Sequence, residues 1–215
     1  MNKFIIISPS FNNQDWTEVY YESIQCQTYK NYEVLYINDC STDNTWNNIT
    51  ELTQGNPQFK CINNATNKGA TFNYVNSFKL PYDENVIFVN LDGDDWLATP
   101  TVLENLNELY TTHDYWMTYG KLLVYDGTET LTEGNPQNTP YDTFVHAYKY
   151  YRRDVWRASH LRTFKKFLFD KIDPNDFISQ LNNELFYHAS DLAFMYPMLE
   201  MSPIDKIGVI QFPTY

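Results

Sequence analysis

Apolar and polar positions along the chain switch between two periods. Residues 4–8 form a β-branched run that predicts a buried strand, and residues 34–37, 59–62 and 86–91 do the same. Between these runs the spacing becomes helical: Trp16, Val19, Tyr20 and Ile24 within 15–27; Trp46, Ile49 and Leu52 behind Ser41 or Thr42 as a cap; Phe72, Val75 and Phe78 behind Lys68-Gly69-Ala70. Asp15, with Glu18 three residues on, reads as a capping box. Strand and helix therefore alternate four times. That predicts an α/β fold on a mostly parallel central sheet, flanked by helices joined through right-handed crossovers.

Beyond residue 98 the pattern is less regular. Val102, Leu103, Leu106 and Leu109 predict a helix over 99–111, and weak alternation over 115–125 predicts a strand at an antiparallel edge. Residues 126–143, rich in Gly, Thr, Asn and Pro, read as one long loop, either a binding loop or plain disorder. Helical spacing returns through Val155, Trp156, Leu161, Phe164, Phe167 and Leu168 and stops at Asp173-Pro174. Ala189-Ser190-Asp191 opens a last helix with Leu192, Phe194, Met195, Met198 and Leu199 inward, and 207–212 reads as a final strand.

Chemistry gathers where the fourth strand ends. Val-Ile-Phe-Val-Asn-Leu-Asp-Gly-Asp-Asp-Trp-Leu runs from residue 86 to 97 and joins a buried strand directly to Asp92, Asp94 and Asp95. The carboxyl end of a strand in an open α/β sheet is where ligands bind. Like charges at 4 Å repel by about 1 to 4 kcal/mol per pair, so three carboxylates here call for a cation. Hard oxygens suit Mg²⁺ or Mn²⁺ with positions left open for phosphate. Gly93 removes a side chain where a ligand or backbone comes close. The alternative is an acidic turn capping the next helix through Asp94 or Asp95, with Thr99-Pro100 as another helix start.

At 215 residues the chain buries about 70% of its unfolded surface in one core, so a single domain is expected. A net charge of −12 argues against nucleic acid, or an anionic membrane, as a general surface partner. Cys26, Cys40 and Cys61 form neither a disulfide framework nor a zinc site, which favours a reducing, cytoplasmic setting. No apolar stretch reaches membrane length, so no membrane insertion is expected.

Four loops now leave one sheet edge, carrying Ile-Ser-Pro-Ser-Phe-Asn, Tyr-Ile-Asn-Asp-Cys-Ser-Thr-Asp-Asn-Thr, Asn-Lys-Gly-Ala and Leu-Asp-Gly-Asp-Asp-Trp. In this order and spacing they resemble the nucleotide-diphospho-sugar glycosyltransferases of GT-A fold, and are most similar to the large inverting family two. The resemblance covers roughly the first hundred residues. The small size is also similar to that of compact glycosyltransferases encoded by chlorella viruses, which would place the protein in a host cytoplasm. The resemblance implies a single Rossmann-like GT-A domain, with 1–98 as the donor-binding half and 99–215 as the acceptor-binding and catalytic half.

Residue by residue, the resemblance implies that Pro9, Ser10 and Phe11 line a nucleoside pocket and that Asp39 accepts a hydrogen bond from uracil. Lys68 and Gly69 would lie near the nucleotide, and Asp92 with Gly93 against the ribose. Asp94 would hold Mn²⁺ or Mg²⁺ on the diphosphate, with His188 as a further ligand, while Asp95 and Trp96 face the sugar or acceptor. Asp191 would be the base, although Ser190 stands where the family has an acid. Bland readings stay open: Asp39 as a cap before Ser41, Lys68 as a surface lysine, His188 as an ordinary half-buried histidine, Asp191 as a helix N-terminal acid. Arg152 and Arg153 fit either a diphosphate grip or a solvated helix start. The implied activity is metal-dependent, inverting transfer from a UDP-sugar to a hydroxyl of a glycan or glycoprotein acceptor. A retaining enzyme and a non-catalytic nucleotide- or carbohydrate-binding module are the alternatives.

Overall fold

The computed structural model describes residues 1–125, 131–134, 137–179, 182–186 and 189–215. In chain order the elements are β1 (Phe4–Ser10), α1 (Thr17–Gln25), β2 (Tyr32–Asn38), α2 (Thr45–Leu52), β3 (Phe59–Asn63), α3 (Ala70–Phe78), β4 (Ile87–Asn90) and α4 (Val102–His113). They continue with β5 (Met117–Tyr119), β6 (Leu123–Tyr125), β7 (Leu131–Glu133), α5 (Thr143–Tyr148), β8 (Arg162–Lys165), α6 (Lys166–Phe169), α7 (Ser190–Met201) and β9 (Ile207–Val209). The main sheet runs β3-β2-β1-β4-β8-β5-β9, and β6 with β7 forms a separate hairpin. β1 lies parallel to both β2 and β4, with Ile7 opposite Leu35 and Asn90, so three strand ends reach one edge together. The α/β architecture with a mostly parallel sheet is as expected.

The strands read as unbroken apolar runs because both faces are covered. Ile5, Ile7 and Phe88 face α3 and α7 through Tyr74, Val75, Phe78, Phe194 and Met198. Phe4, Ile6, Ile87 and Val89 face the other layer, with Tyr20, Ile24, Ile49, Leu103 and Leu106. Successive side chains of a strand alternate faces, so every position of β1 is buried.

The second half corrects the reading in three places. The helix expected through Leu161, Phe164 and Leu168 is instead strand β8 followed by the single turn of α6. β8 sits antiparallel between β4 and β5, with Asn90 opposite Arg162 and Met117 opposite Phe164. Leu161 packs in one layer and Phe164 in the other, whereas a helix would put them on one face. The strand expected over 115–125 breaks at Gly120, whose φ of 75° suits glycine, into β5 and β6. The expected long loop holds β7, while 126–130 and 135–136 lie outside the described residues.

Two caps also differ. Trp16, not Asp15, occupies the N-cap of α1 and makes no side-chain cap. Asp43, rather than Ser41 or Thr42, accepts from Thr45 N (2.9 Å) at the start of α2. Among the described residues no helix is long and apolar enough to cross a membrane.

Candidate functional site

The parallel ends of β1, β2 and β4 are tied to one another before their loops diverge. Asp39 N donates to Ser10 O (2.8 Å) and Gly93 N to Pro9 O (3.0 Å). Ser10 is buried and its Oγ accepts from Tyr36 OH (2.6 Å). A Cβ on Gly93 would stand 2.4 Å from Ser10 Cβ, so the glycine is required by a neighbouring strand. Asn12, at φ 55°, accepts from Thr42 N (2.8 Å) and joins the first loop to the second. The result is a cleft of about 190 Å³ lined by Pro9, Ser10, Phe11, Asn13, Asp39, Ala70, Asn73, Asp92 and Asp94.

Asp39 is buried and holds the loop ahead of α3 rather than capping α2. Its Oδ1 accepts from Asn64 Nδ2 (2.8 Å) and Lys68 N (2.9 Å), and its Oδ2 from Gly69 N (2.8 Å). A carboxylate offers about four acceptor positions, so one remains for a donor in the cleft. Gly69 has φ 81°, and its N–H serves Asp39. The Lys68 ammonium lies 5.8 Å from the Phe72 ring centroid, and Lys68 is not among the residues lining the cleft. Asn73 is only 4% exposed; its Oδ1 accepts from Asn64 Nδ2 (2.8 Å), while its Nδ2 has no partner.

The acids after β4 diverge in environment. None caps a helix: Asp95 N donates to Asp92 O (3.2 Å) in a tight turn, and α4 begins only at Val102 behind Thr101. Asp92 accepts from Tyr74 OH (2.6 Å), and burial raises its carboxyl above the ordinary value. His160 Nε2 lies 3.7 Å from Asp92. Burial, followed by the Arg162 charge, pushes that imidazole down to about 2, so the contact is no ion pair. His160 stacks on Tyr215 at 4.5 Å and 12°. Asp95 accepts from Tyr215 OH, and burial, with the charges of Asp92 and Asp94, pushes its carboxyl up to about 7. Asp94 is exposed, and its carboxylate has no partner among the described residues.

Arg162 is the residue the sequence concealed. It opens β8 with its side chain 6% exposed, donates from Nε to Ala158 O (3.2 Å) and reaches Asp191 Oδ2 from Nη2 at 3.1 Å. Its charge also opposes that of Asp92 and Asp95. The one signal was an arginine inside the apolar run from Leu161 to Phe164. Asp191 lies in the first turn of α7 and also accepts from Leu192 N (2.9 Å). Tyr74 and Tyr215 were likewise missed as neighbours of the acids, because nothing in their spacing ties them to residues 92–95.

A second cavity, of about 360 Å³, opens on the other side of Asp94. It is lined by Trp16, Asp94, Asp95, Trp96, Ala98, Leu122, Leu123, Val124, Tyr125 and Tyr215. Trp96 stacks on Trp16 at 5.8 Å and meets Tyr125 edge-on at 5.9 Å.

His188 lies outside the described residues. Among those described, no group of three or more His, Cys, Asp or Glu is placed to hold a metal. Among the described residues lining the cleft, Asp94 is the carboxylate without a partner. That donor set fits Mg²⁺ or Mn²⁺ taken up with substrate phosphates, a mode that needs only one or two carboxylates. Arg152 grips Glu200 at 2.7 and 3.1 Å and Arg153 lies over Tyr150, so neither is aimed at these loops.

The chain is similar to known proteins in sequence and in fold. The chain is 31% identical over 106 residues to the Escherichia coli UDP-Glc:alpha-D-GlcNAc-diphosphoundecaprenol beta-1,3-glucosyltransferase WfaP, covering 49% of this chain and 41% of that protein. It is 28% identical over 174 residues to WfgD of the same species and the same described activity, covering 68% and 66%. The chain therefore spans less than two thirds of either relative. Residues 1–349 of Staphylococcus aureus TarS superpose with a TM-score of 0.66 at 20% identity, covering 92% of this chain and 56% of that one, a likeness of fold. These relatives are bacterial and lend no support to a chlorella-virus origin. The family model described as glycosyl transferase family 2 matches residues 5–202, and the chain belongs to that family.

Proposed function

We propose that this chain is the catalytic domain of a metal-dependent, inverting glycosyltransferase that uses a UDP-sugar. The observation that carries the reading is Asp94, an exposed carboxylate without a partner among the described residues, which lines both the nucleoside-sized cleft and the aromatic cavity. A diphosphate between the two would pass over it. In the cleft the remaining acceptor position of Asp39 suits the imide N–H of uracil, with Pro9 and Phe11 against the base and Asp92 toward the ribose. Mn²⁺ or Mg²⁺ held by Asp94 and phosphate oxygens, with His188 as a candidate further ligand, would neutralise charge growing on the leaving group.

The aromatic cavity suits a sugar ring, whose C–H face stacks on Trp96, Trp16 and Tyr125. We place the acceptor there, beside Asp95, with residues 1–98 binding the donor and 99–215 completing the acceptor side. The names of WfaP and WfgD describe transfer to sugars on diphosphoundecaprenol, and we infer an acceptor glycan of that lipid-linked class. Three free thiols fit a cytoplasmic setting. Asp191, oriented by Arg162, takes the proton of the acceptor hydroxyl as its oxygen bonds to the anomeric carbon. The bond from that carbon to the β-phosphate oxygen breaks on the opposite face, which inverts the centre.

Calorimetric titration of UDP tests the site. Binding should require Mn²⁺ or Mg²⁺, vanish in chelator and vanish in Asp94→Ala. UDP affinity unchanged by chelator and by the substitution would sink the metal role of Asp94. No binding under any condition would sink the nucleotide-sugar reading.

A further inference from the structure

Strand β4 breaks its own apolar run at its last residue. Ile87, Phe88 and Val89 are buried hydrophobics, and Asn90 after them is just as enclosed, at 1% exposed. Its amide Nδ2 and Oδ1 are both buried, and neither has a partner among the described residues. A buried polar group left unbonded is costly. An amide kept here points to a second state in which it is bonded.

Register identifies what the amide faces. Side chains of a strand alternate faces, so Asn90 shares its side of the sheet with Phe88, which packs in one layer with Tyr74 of α3 and Phe194 of α7. Ile7 of β1 lies opposite Asn90 on one flank and Arg162 of β8 on the other. Directly opposed residues of antiparallel strands stand about 4.5 to 5.5 Å apart at Cβ on one face. The Asn90 amide is therefore a neighbour of Arg162. Two N–H groups of that arginine find acceptors among the described residues, Ala158 O at 3.2 Å and Asp191 Oδ2 at 3.1 Å. Its side chain is 6% exposed, so solvent offers little to the others. Asp92 and Asp95 feel the same charge, but they accept from Tyr74 OH and Tyr215 OH. Asn90 Oδ1 is an uncommitted acceptor next to the guanidinium.

We propose that Asn90 is a positioning residue of the transfer step, an amide held in reserve for Arg162 while Asp191 carries the acceptor's proton. The proposal rests on the reading of Asp191 as the base. Before transfer, the carboxylate neutralises the buried guanidinium. As the acceptor O–H bond breaks, its proton passes to Asp191, its electron pair serves the new bond to the anomeric carbon, and Asp191 becomes neutral. Arg162 then loses the charge opposite it, and a buried cation without compensation opposes the step. A turn about the terminal torsion of Asn90, which is broad for an amide, presents Oδ1 to a further N–H of Arg162. A bond made only in that state lowers the barrier and leaves substrate binding alone.

Hydrolysis of UDP-glucose in Mn²⁺, with water in the acceptor's place, and urea melts of the full chain test this. Asn90→Leu should lower kcat about tenfold or more, the worth of one hydrogen bond to a charged group, with KM and calorimetric UDP affinity unchanged. In the melts it should raise the midpoint, because an apolar side chain of similar size replaces a polar group that the free protein leaves unbonded. Asp191→Asn fixes position 191 in a neutral state, so Asn90 is there already bonded to Arg162. In that background the same substitution should lower the midpoint and change kcat no further. A wild-type kcat in Asn90→Leu, or a midpoint shift of the same sign in both backgrounds, would overturn the proposal, and the melts decide it even where hydrolysis is too slow to follow. If Asn90→Leu does not fold, Asn90→Thr and Asn90→Val, alike in shape, replace it. The threonine keeps an acceptor and should turn over faster; equal rates would overturn the proposal. Failure of the base reading looks different, because Asp191→Asn itself would then keep the wild-type kcat.

Discussion

Arg162 Nη2 lies 3.1 Å from Asp191 Oδ2, and it joins the strand that closes the middle of the sheet to the helix that would carry the base. The arginine is 6% exposed and the aspartate 25%, so the pair is buried on one side only. Arg162→Gln should cost about 2 kcal/mol in urea unfolding, below the roughly 3 to 5 kcal/mol of a fully buried pair. Asp191→Asn should leave UDP affinity unchanged and lower kcat by about 10² or more, as expected for a lost general base. A kcat within a factor of two or so of the wild type would remove Asp191 from the chemistry.

Asp95 makes stability depend on pH in a stated direction. Its folded carboxyl holds a proton up to about 7, against an ordinary 3.8. The folded state therefore binds more protons in that window. The contribution is fully present below 3.8 and lost as pH rises through 7. Asp95→Asn keeps an acceptor for Tyr215 OH but does not titrate. Relative to the wild type, the variant should gain roughly 2 kcal/mol between about pH 4 and pH 8, part of the full linkage value because the carboxyl keeps some solvent. Urea melts across that range in chelator should show it, and a pH-independent difference would refute the assignment.

The sheet was legible because burial on both faces leaves an unmistakable run: Ile5 and Ile7 pack in one layer, Phe4 and Ile6 in the other. Asp92, Asp94 and Asp95 were legible because acids directly after such a run stand at a sheet edge. Arg162 was not. Its neighbours Leu161, Phe164 and Leu168 repeat at three and four residues, and only pairing with Asn90 and Thr118 turns that segment into a strand. Tyr74 and Tyr215 reach Asp92 and Asp95 from 18 and 120 residues away, a relation that no local pattern encodes.

Asn73 carries a buried amide with an unfilled donor. Its Nδ2 has no partner, and the residue lines the cleft beside Asp39. A carbonyl or hydroxyl oxygen of bound nucleoside would supply the missing acceptor. Asn73→Ala should then weaken UDP binding by about 0.5 to 1.5 kcal/mol, or roughly 2- to 12-fold, as calorimetry measures it. Unaltered affinity would show that the amide serves only Asn64, to which its Oδ1 is already bonded.

Gly93 tests whether the cleft depends on how closely β4 approaches β1. A methyl group there meets Ser10 Cβ at 2.4 Å and Ser10 Oγ at 2.6 Å, and the nearest backbone atom, Ser10 Cα, at 3.1 Å. A rotamer change relieves only the Oγ contact, because Cβ is fixed by the strand. The 92–95 turn must therefore move away from β1 in Gly93→Ala, lengthening the 3.0 Å bond from Gly93 N to Pro9 O. Overpacking of this kind costs about 1 to 3 kcal/mol, and UDP affinity should fall with it, since Asp92 and Asp94 move with the turn. Ser10→Gly in the same chain removes both Cβ and Oγ, so the double variant should recover most of the UDP affinity. It should recover less of the stability, because Tyr36 OH then loses its 2.6 Å partner. Equal affinity in the single and double variants would show that the clash at Ser10 does not govern the cleft.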